Sequence, residues 1–225
     1  MAKIRKFAAF IVCVLVWISF IQKVKAQNPS SYYIEDPRTF YAGVIAGTNF
    51  TQVDGDSYAG YHKVGLNAGG IVYANVGENL AASLEILFSQ KGARGHQPQA
   101  SANNANLITK FLIDLNYAEV PVMINYFDRR RSHFGGGFSY SYIINANQVI
   151  ETNPFDPVTS NLEQYKFRKS DINIVLGGNL HLVKGLFLNL RFQYSLIPIR
   201  KEIPPGYGRS EQYSNIWAIR LMYLF

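Results

Sequence analysis

Cysteine is almost missing from this chain: Cys13 is the only one in 225 residues. It falls in a stretch that reads as a removable leader. Lys3, Arg5 and Lys6 precede an apolar run from Phe7 to Ile21, and Val24 and Ala26 close it with small side chains. That is the pattern of a secretory signal peptide, with cleavage expected after Ala26. The run is shorter than the ~20 apolar residues a membrane-spanning helix requires. Ile11 and Val12 put no small residue ahead of Cys13, so a lipoprotein cleavage site is not expected. The mature chain then has no thiol, which excludes disulfides, iron–sulfur clusters and cysteine nucleophiles.

Charge is scarce as well, at 16% of residues. Lys3, Arg5, Lys6, Lys23 and Lys25 supply five of the formal +7, leaving +2 (17 basic against 15 acidic) beyond the leader. The basic pI of about 9.4 is therefore no argument for nucleic acid. Past the leader no apolar run is long enough for a membrane helix, but a membrane barrel would not contain one.

What the chain has in abundance is aromatic residues, 15 Tyr and 15 Phe, set in period-2 alternation. After a polar lead over residues 27–37, alternation recurs in eight segments. These are Thr39–Phe50, His62–Ala74, Leu80–Lys91, Ile108–Phe127, His133–Ala146, Phe167–Val183, Leu186–Pro198 and Glu211–Phe225. Three connections are short ("NVGEN", "DRRRS", "KG") and alternate with long polar ones. The spacing predicts an all-β domain over residues 38–225. It would be an eight-stranded antiparallel up-and-down transmembrane β-barrel with short periplasmic turns and longer extracellular loops.

Alternation alone does not say what the apolar face meets. A soluble lipocalin-like barrel has the same pattern turned inside out. Three features favour lipid. Aromatics gather toward segment ends, as interfacial girdles do. The opposite face is rich in Gly, Ser and Asn rather than in Lys and Glu. The last segment ends on Tyr223 and Phe225, which reads as the C-terminal signal for the barrel-assembly machinery. Localisation in the outer membrane follows, with outer-membrane lipid and lipopolysaccharide as surroundings.

The polar rows suggest where charge collects. Glu85, Arg191 and Arg220 each lie five positions from the periplasmic end of a segment and share the lumen face. An eight-stranded interior is just wide enough to be filled by side chains, and charges inside it must be paired. A carboxylate–guanidinium network around Glu85 is therefore expected, with Asp114 and Glu119 as further acceptors. Continuing the apolar row Phe111, Ile113, Leu115, Tyr117 would aim Glu119 at lipid. Pro121 cannot donate a ladder hydrogen bond, so a bulge at Ala118–Pro121 is predicted to turn Glu119 inward. His62, His96, His133 and His181 do not have metal-ligand spacing, and His181 is expected at the periplasmic end of the lumen. No cofactor is expected. Lys166, Arg168 and Lys169 form an outer basic cluster suited to lipopolysaccharide phosphates. Arg129, Arg130 and Arg131 form a basic periplasmic turn suited to anionic lipid or an envelope protein partner.

Several stretches resemble the PorT-like outer-membrane β-barrel family of Bacteroidetes-type bacteria. They are "FYAGVIAGTNFTQVDGD", "SLEILFSQKGA", "FGGGFSYSYII" and above all "LNYAEVPVMINYF", with the Tyr-x-Glu-aliphatic-Pro signature at Tyr117, Glu119, Val120 and Pro121. Ile45 departs from the pattern, where the resemblance implies a lumen Lys. The family's namesake acts in type IX secretion, but a shared fold does not transfer a role. Three functions stay open at this level: a non-enzymatic scaffold or accessory of the cell envelope, a narrow or gated porin-like channel, and a lipid-modifying enzyme.

Overall fold

A computed structural model describes residues 39–95, 98–101, 106–128, 131–156, 159 and 162–225. The leader, the polar lead, His96, Arg129 and Arg130 lie outside the described residues. The strands are β1 (Phe40–Asp56), β2 (Lys63–Asn75), β3 (Leu80–Arg94), β4 (Gln99–Ala100), β5 (Leu107–Phe127), β6 (His133–Asn153), β7 (Ser170–Val183), β8 (Leu186–Ser195) and β9 (Gly208–Leu224). All except β4 are long and antiparallel to their neighbours. β4 is a two-residue flap paired with the outer end of β5 through Gln99–Ile108 and Ala100–Leu107. The ring closes at two seams: β1 pairs with β9 from Gly43–Leu224 to Asp56–Gly208, and β3 pairs with β5 from Leu80–Tyr126 to Arg94–Leu112. Every long strand thus has two partners across the barrel wall, which removes the edge an open sheet would present there.

Leu84, Ile86, Val122, Ile124, Leu190 and Leu221 are exposed on the outer wall, whereas Ala81, Met123, Val175, Ile216 and Ala218 are buried inside. An apolar row of nine to eleven residues, at ~3.3 Å per residue and tilted ~45°, makes a band of roughly 20–25 Å. Aromatics border it. Tyr126 and Phe134 meet at 5.7 Å on the short-turn side. On the long-loop side Phe192 meets Trp217 at 5.0 Å, and Tyr194 stacks on Tyr213.

On the loop side β1, β3, β5, β6 and β9 run further than the alternation indicated, whereas β7 and β8 stop short of it, at Ser170 and Ser195. β1 continues past Phe50 to Asp56, and β6 past Ala146 to Asn153. In these extensions the polarity of the wall inverts. On β5, Ala118, Val120, Val122 and Ile124 face outward within the belt, but beyond it the outward residues are Lys110, Leu112, Asp114 and Asn116, three of the four polar. Phe111, Ile113, Leu115 and Tyr117 point inward there and join Val53, Tyr58, Ala93, Ile150, Ile199 and Tyr207 in an apolar cluster. Water has replaced lipid outside, so apolar side chains gain by turning in.

Candidate functional site

The lumen is built by the inward residues of the eight long strands, and side chains occupy it in layers. At the short-turn end lies an aromatic floor. The His133 ring is buried, hydrogen-bonds the Tyr73 hydroxyl at 2.9 Å and stacks on Phe127 at 4.2 Å. Phe187 meets His133 edge-on at 5.5 Å. His181 sits at the rim, with its Nε2 2.7 Å from the Lys184 carbonyl.

Above the floor, β3, β8 and β9 bring Glu85, Arg191 and Arg220 together. Both Nη atoms of Arg191 reach the Glu85 carboxylate, one of them at 3.0 Å. Arg220 Nη1 donates to Glu85 Oε2 at 3.1 Å, and its Nε donates to Asn189 Oδ1 at 2.8 Å. Asn67 accepts from Arg220 at 3.2 Å, and Asn189 donates to Asn179 at 2.8 Å. Arg220 can lie flat because Gly47 faces it: a Cβ at Gly47 would be 2.5 Å from the Arg220 Cα.

A second carboxylate, Glu119, occupies the next layer. Lys91 Nζ is 2.9 Å from Glu119 Oε2, and both side chains are fully buried. Ser139 donates to Glu119 Oε1 at 2.8 Å and Gln193 at 2.5 Å. Lys91 also donates to Ser141 and lies 4.9 Å from the Tyr117 ring. Asp171 is the third carboxylate of these layers and accepts from Asn173 and Ser195, each at 3.0 Å. Within these layers Lys91, Arg191 and Arg220 stand against Glu85, Glu119 and Asp171; toward the loop end Asp56, Lys63 and Arg200 are buried as well. The apolar cluster closes the lumen above. Gly92, at a φ of 133°, lets β3 run inward under it; Thr51 donates to the Gly92 carbonyl at 2.7 Å.

Two expectations need correction. Asp114 is not in the lumen: it stands on the outer wall of the β5 extension, partly exposed, and pairs with Lys63 at 2.8 Å. Pro121 marks no bulge. It pairs in register with Ser139; the β5–β6 shifts fall at Ile108–Lys110 and at Asn116–Tyr117, where Ile144 is the extra residue on β6. Glu119 points inward without any change of phase, because Phe111 to Tyr117 never faced lipid. Lys91 and Asp171 were missing from the expected network. Lys91 was in the polar row of its segment, and Asp171 begins an inward row with Asn173 and Val175. Tyr223 and Phe225 are exposed on the outer wall, their rings 6.5 Å apart.

Among the described residues no group of His, Cys, Asp and Glu is arranged to hold a metal. Glu85 and Glu119 are held by cations, and Asp171 Oδ2 by an amide and a hydroxyl.

A family model described as the outer membrane protein beta-barrel domain matches residues 25–201. The chain belongs to that family. Outer-membrane residence goes with the family, and the barrel reading agrees with it. The attachment invasion locus protein Ail of Yersinia pestis is similar in structure at 11% identity, with 84% of this chain and 100% of that one covered and a TM-score of 0.44. Neisserial surface protein A is similar at 10% identity, covering 84% and 98%, with a TM-score of 0.43. The outer membrane protein AlkL is similar at 16%, covering 88% and 96%, with a TM-score of 0.39. A search of curated proteins gives no match.

Proposed function

We propose that this outer-membrane barrel is a non-enzymatic scaffold of the cell envelope, exported by the leader at residues 1–26, whose wall and loops dock other components while its lumen stays sealed. One observation supports this most: the charge-paired lumen, with Glu85 and Glu119 buried among their cations between an aromatic floor and an apolar cap. A conduit would keep such groups in water; here they are enclosed. The resemblance to PorT-like barrels makes a secretion-type envelope complex the partner to look for first. Crosslinking in intact outer membranes, followed by recovery of the barrel, tests the scaffold reading: a discrete co-purifying envelope protein is expected, and recovery of the barrel alone contradicts it.

A gated channel is the second reading. Asn49 Oδ1, Tyr117 Oη, Asp171 Oδ1, Gln193 Oε1 and Ser214 Oγ are buried in the upper lumen without a hydrogen-bond partner. Groups of this kind favour internal water, and a water-lined upper lumen is half of a conducting path. A lipid-modifying enzyme has less support, since it needs a nucleophile and base converging near the outer rim.

A further inference from the structure

The basic cluster beyond the outer girdle lines a cleft. The extra residue Ile144 kinks β6 just above Tyr140 and Tyr142, both exposed to lipid. Between β6 and the β6–β7 connection this leaves a cavity of about 710 Å³, with Ile143, Gln148, Leu162, Phe167, Lys166 and Lys169 among its lining residues. Among the described side chains no carboxylate lines it. Its basic wall is fixed at the backbone: Arg168 N–H donates to the Ile199 carbonyl at 2.7 Å, and Ile143 N–H to the Lys169 carbonyl at 2.8 Å. Arg200, almost fully buried, braces it from behind. It donates to Gln148 Oε1 at 2.6 Å and to the Tyr165 carbonyl at 3.3 Å, and it lies 4.3 Å from the Phe167 ring. Arg200 Nη2 and Gln148 Nε2 remain buried donors without partners.

We infer that this cleft binds the phosphorylated headgroup of an outer-leaflet glycolipid of the lipid A class. Lys166 and Lys169 take the phosphate, and Ile143, Leu162 and Phe167 cover the apolar part of the same molecule. Three features select that ligand. Two lysines and the unpaired Gln148 amide, with no carboxylate among the described lining side chains, suit an anion. The apolar half suits a lipid-linked anion over a free one. The position directly above the outer aromatic belt is the headgroup level.

The inference rests on the barrel lying in the outer membrane, which a carbonate wash of cell envelopes tests by itself: an extractable protein sinks the barrel reading, whatever it binds. The cleft is tested with purified full-length protein in zwitterionic detergent, by native mass spectrometry with phosphorylated and dephosphorylated lipid A. Phosphorylated lipid should be retained, dephosphorylated lipid should not, and the double variant Lys166→Gln/Lys169→Gln should lower retention about tenfold. Lys201→Gln, an exposed lysine outside the cleft, should leave retention unchanged, and unheated gel mobility checks that each variant is folded. Equal retention of both lipids, or equal retention by the double variant, overturns the inference. Displacement of the lipid by excess inorganic phosphate overturns the lipid assignment in favour of a free-anion site.

Discussion

Glu85 accepts from two guanidiniums at once, so the network depends on it more than on either arginine. Glu85→Gln leaves Arg191 and Arg220 buried beside a neutral amide, and losing one partner of a buried ion pair costs about 3–5 kcal/mol. Urea unfolding in lipid vesicles should show a loss of that size; a loss under about 1 kcal/mol would mean the guanidiniums find other partners. Lys91 and Glu119 form a separate pair, so Lys91→Met alone should destabilise more than Lys91→Met combined with Glu119→Gln. Beyond the belt, Asp56 is buried at the outer end of β1. Burial pushes its carboxyl from 3.8 up to about 7, against the Tyr58 N–H bond that favours ionisation. The folded chain then holds a proton that the unfolded chain releases at lower pH. Its contribution is full below about pH 4 and is lost as pH rises toward 7, by up to ~1.4 kcal/mol per unit. Wild type should be more stable at pH 5 than at pH 8, and Asp56→Asn should flatten that difference; an unchanged pH slope in the variant contradicts the assignment.

Along β5 a single unbroken alternation passes through two environments, and this is where sequence and structure part. The eight segments and their order were legible because a strand crossing lipid needs apolar residues at every second position. The inward turn of Glu119 was legible too, but for the wrong reason. Phe111, Ile113, Leu115 and Tyr117 look like lipid-facing residues until the outer wall is known to stand in water at their level. Period 2 carries no information on which side is wet, so a change of solvent outside resembles a shift of phase within the strand. The same ambiguity put Asp114 in the lumen. The structural reading predicts different tolerances on one face of one strand. Val122→Lys, inside the belt, should cost roughly 2–4 kcal/mol of stability in bilayers, whereas Leu112→Lys, beyond it, should cost about 0–1 kcal/mol. Equal costs at both positions would place the lipid boundary elsewhere.

For the molecule as a whole, the family and the closed ring establish an outer-membrane barrel, and the packing inside that ring decides what sort of barrel it is. The lumen pairing was only partly legible, because Glu85, Arg191 and Arg220 come from strands far apart in sequence and only barrel closure fixes their common level. The basic cluster at Lys166 and Lys169 was legible, but Arg200 and the cleft it braces were not, because a strand extension and a loop meet there without periodicity. Among the described residues, the floor, the charged layers and the cap are what the proposal of a sealed lumen rests on. The most direct test is single-channel recording of the purified protein in planar bilayers across a range of voltages. The filled lumen predicts a bilayer as quiet as one without protein. Reproducible conductance steps from the folded, unheated form would contradict it.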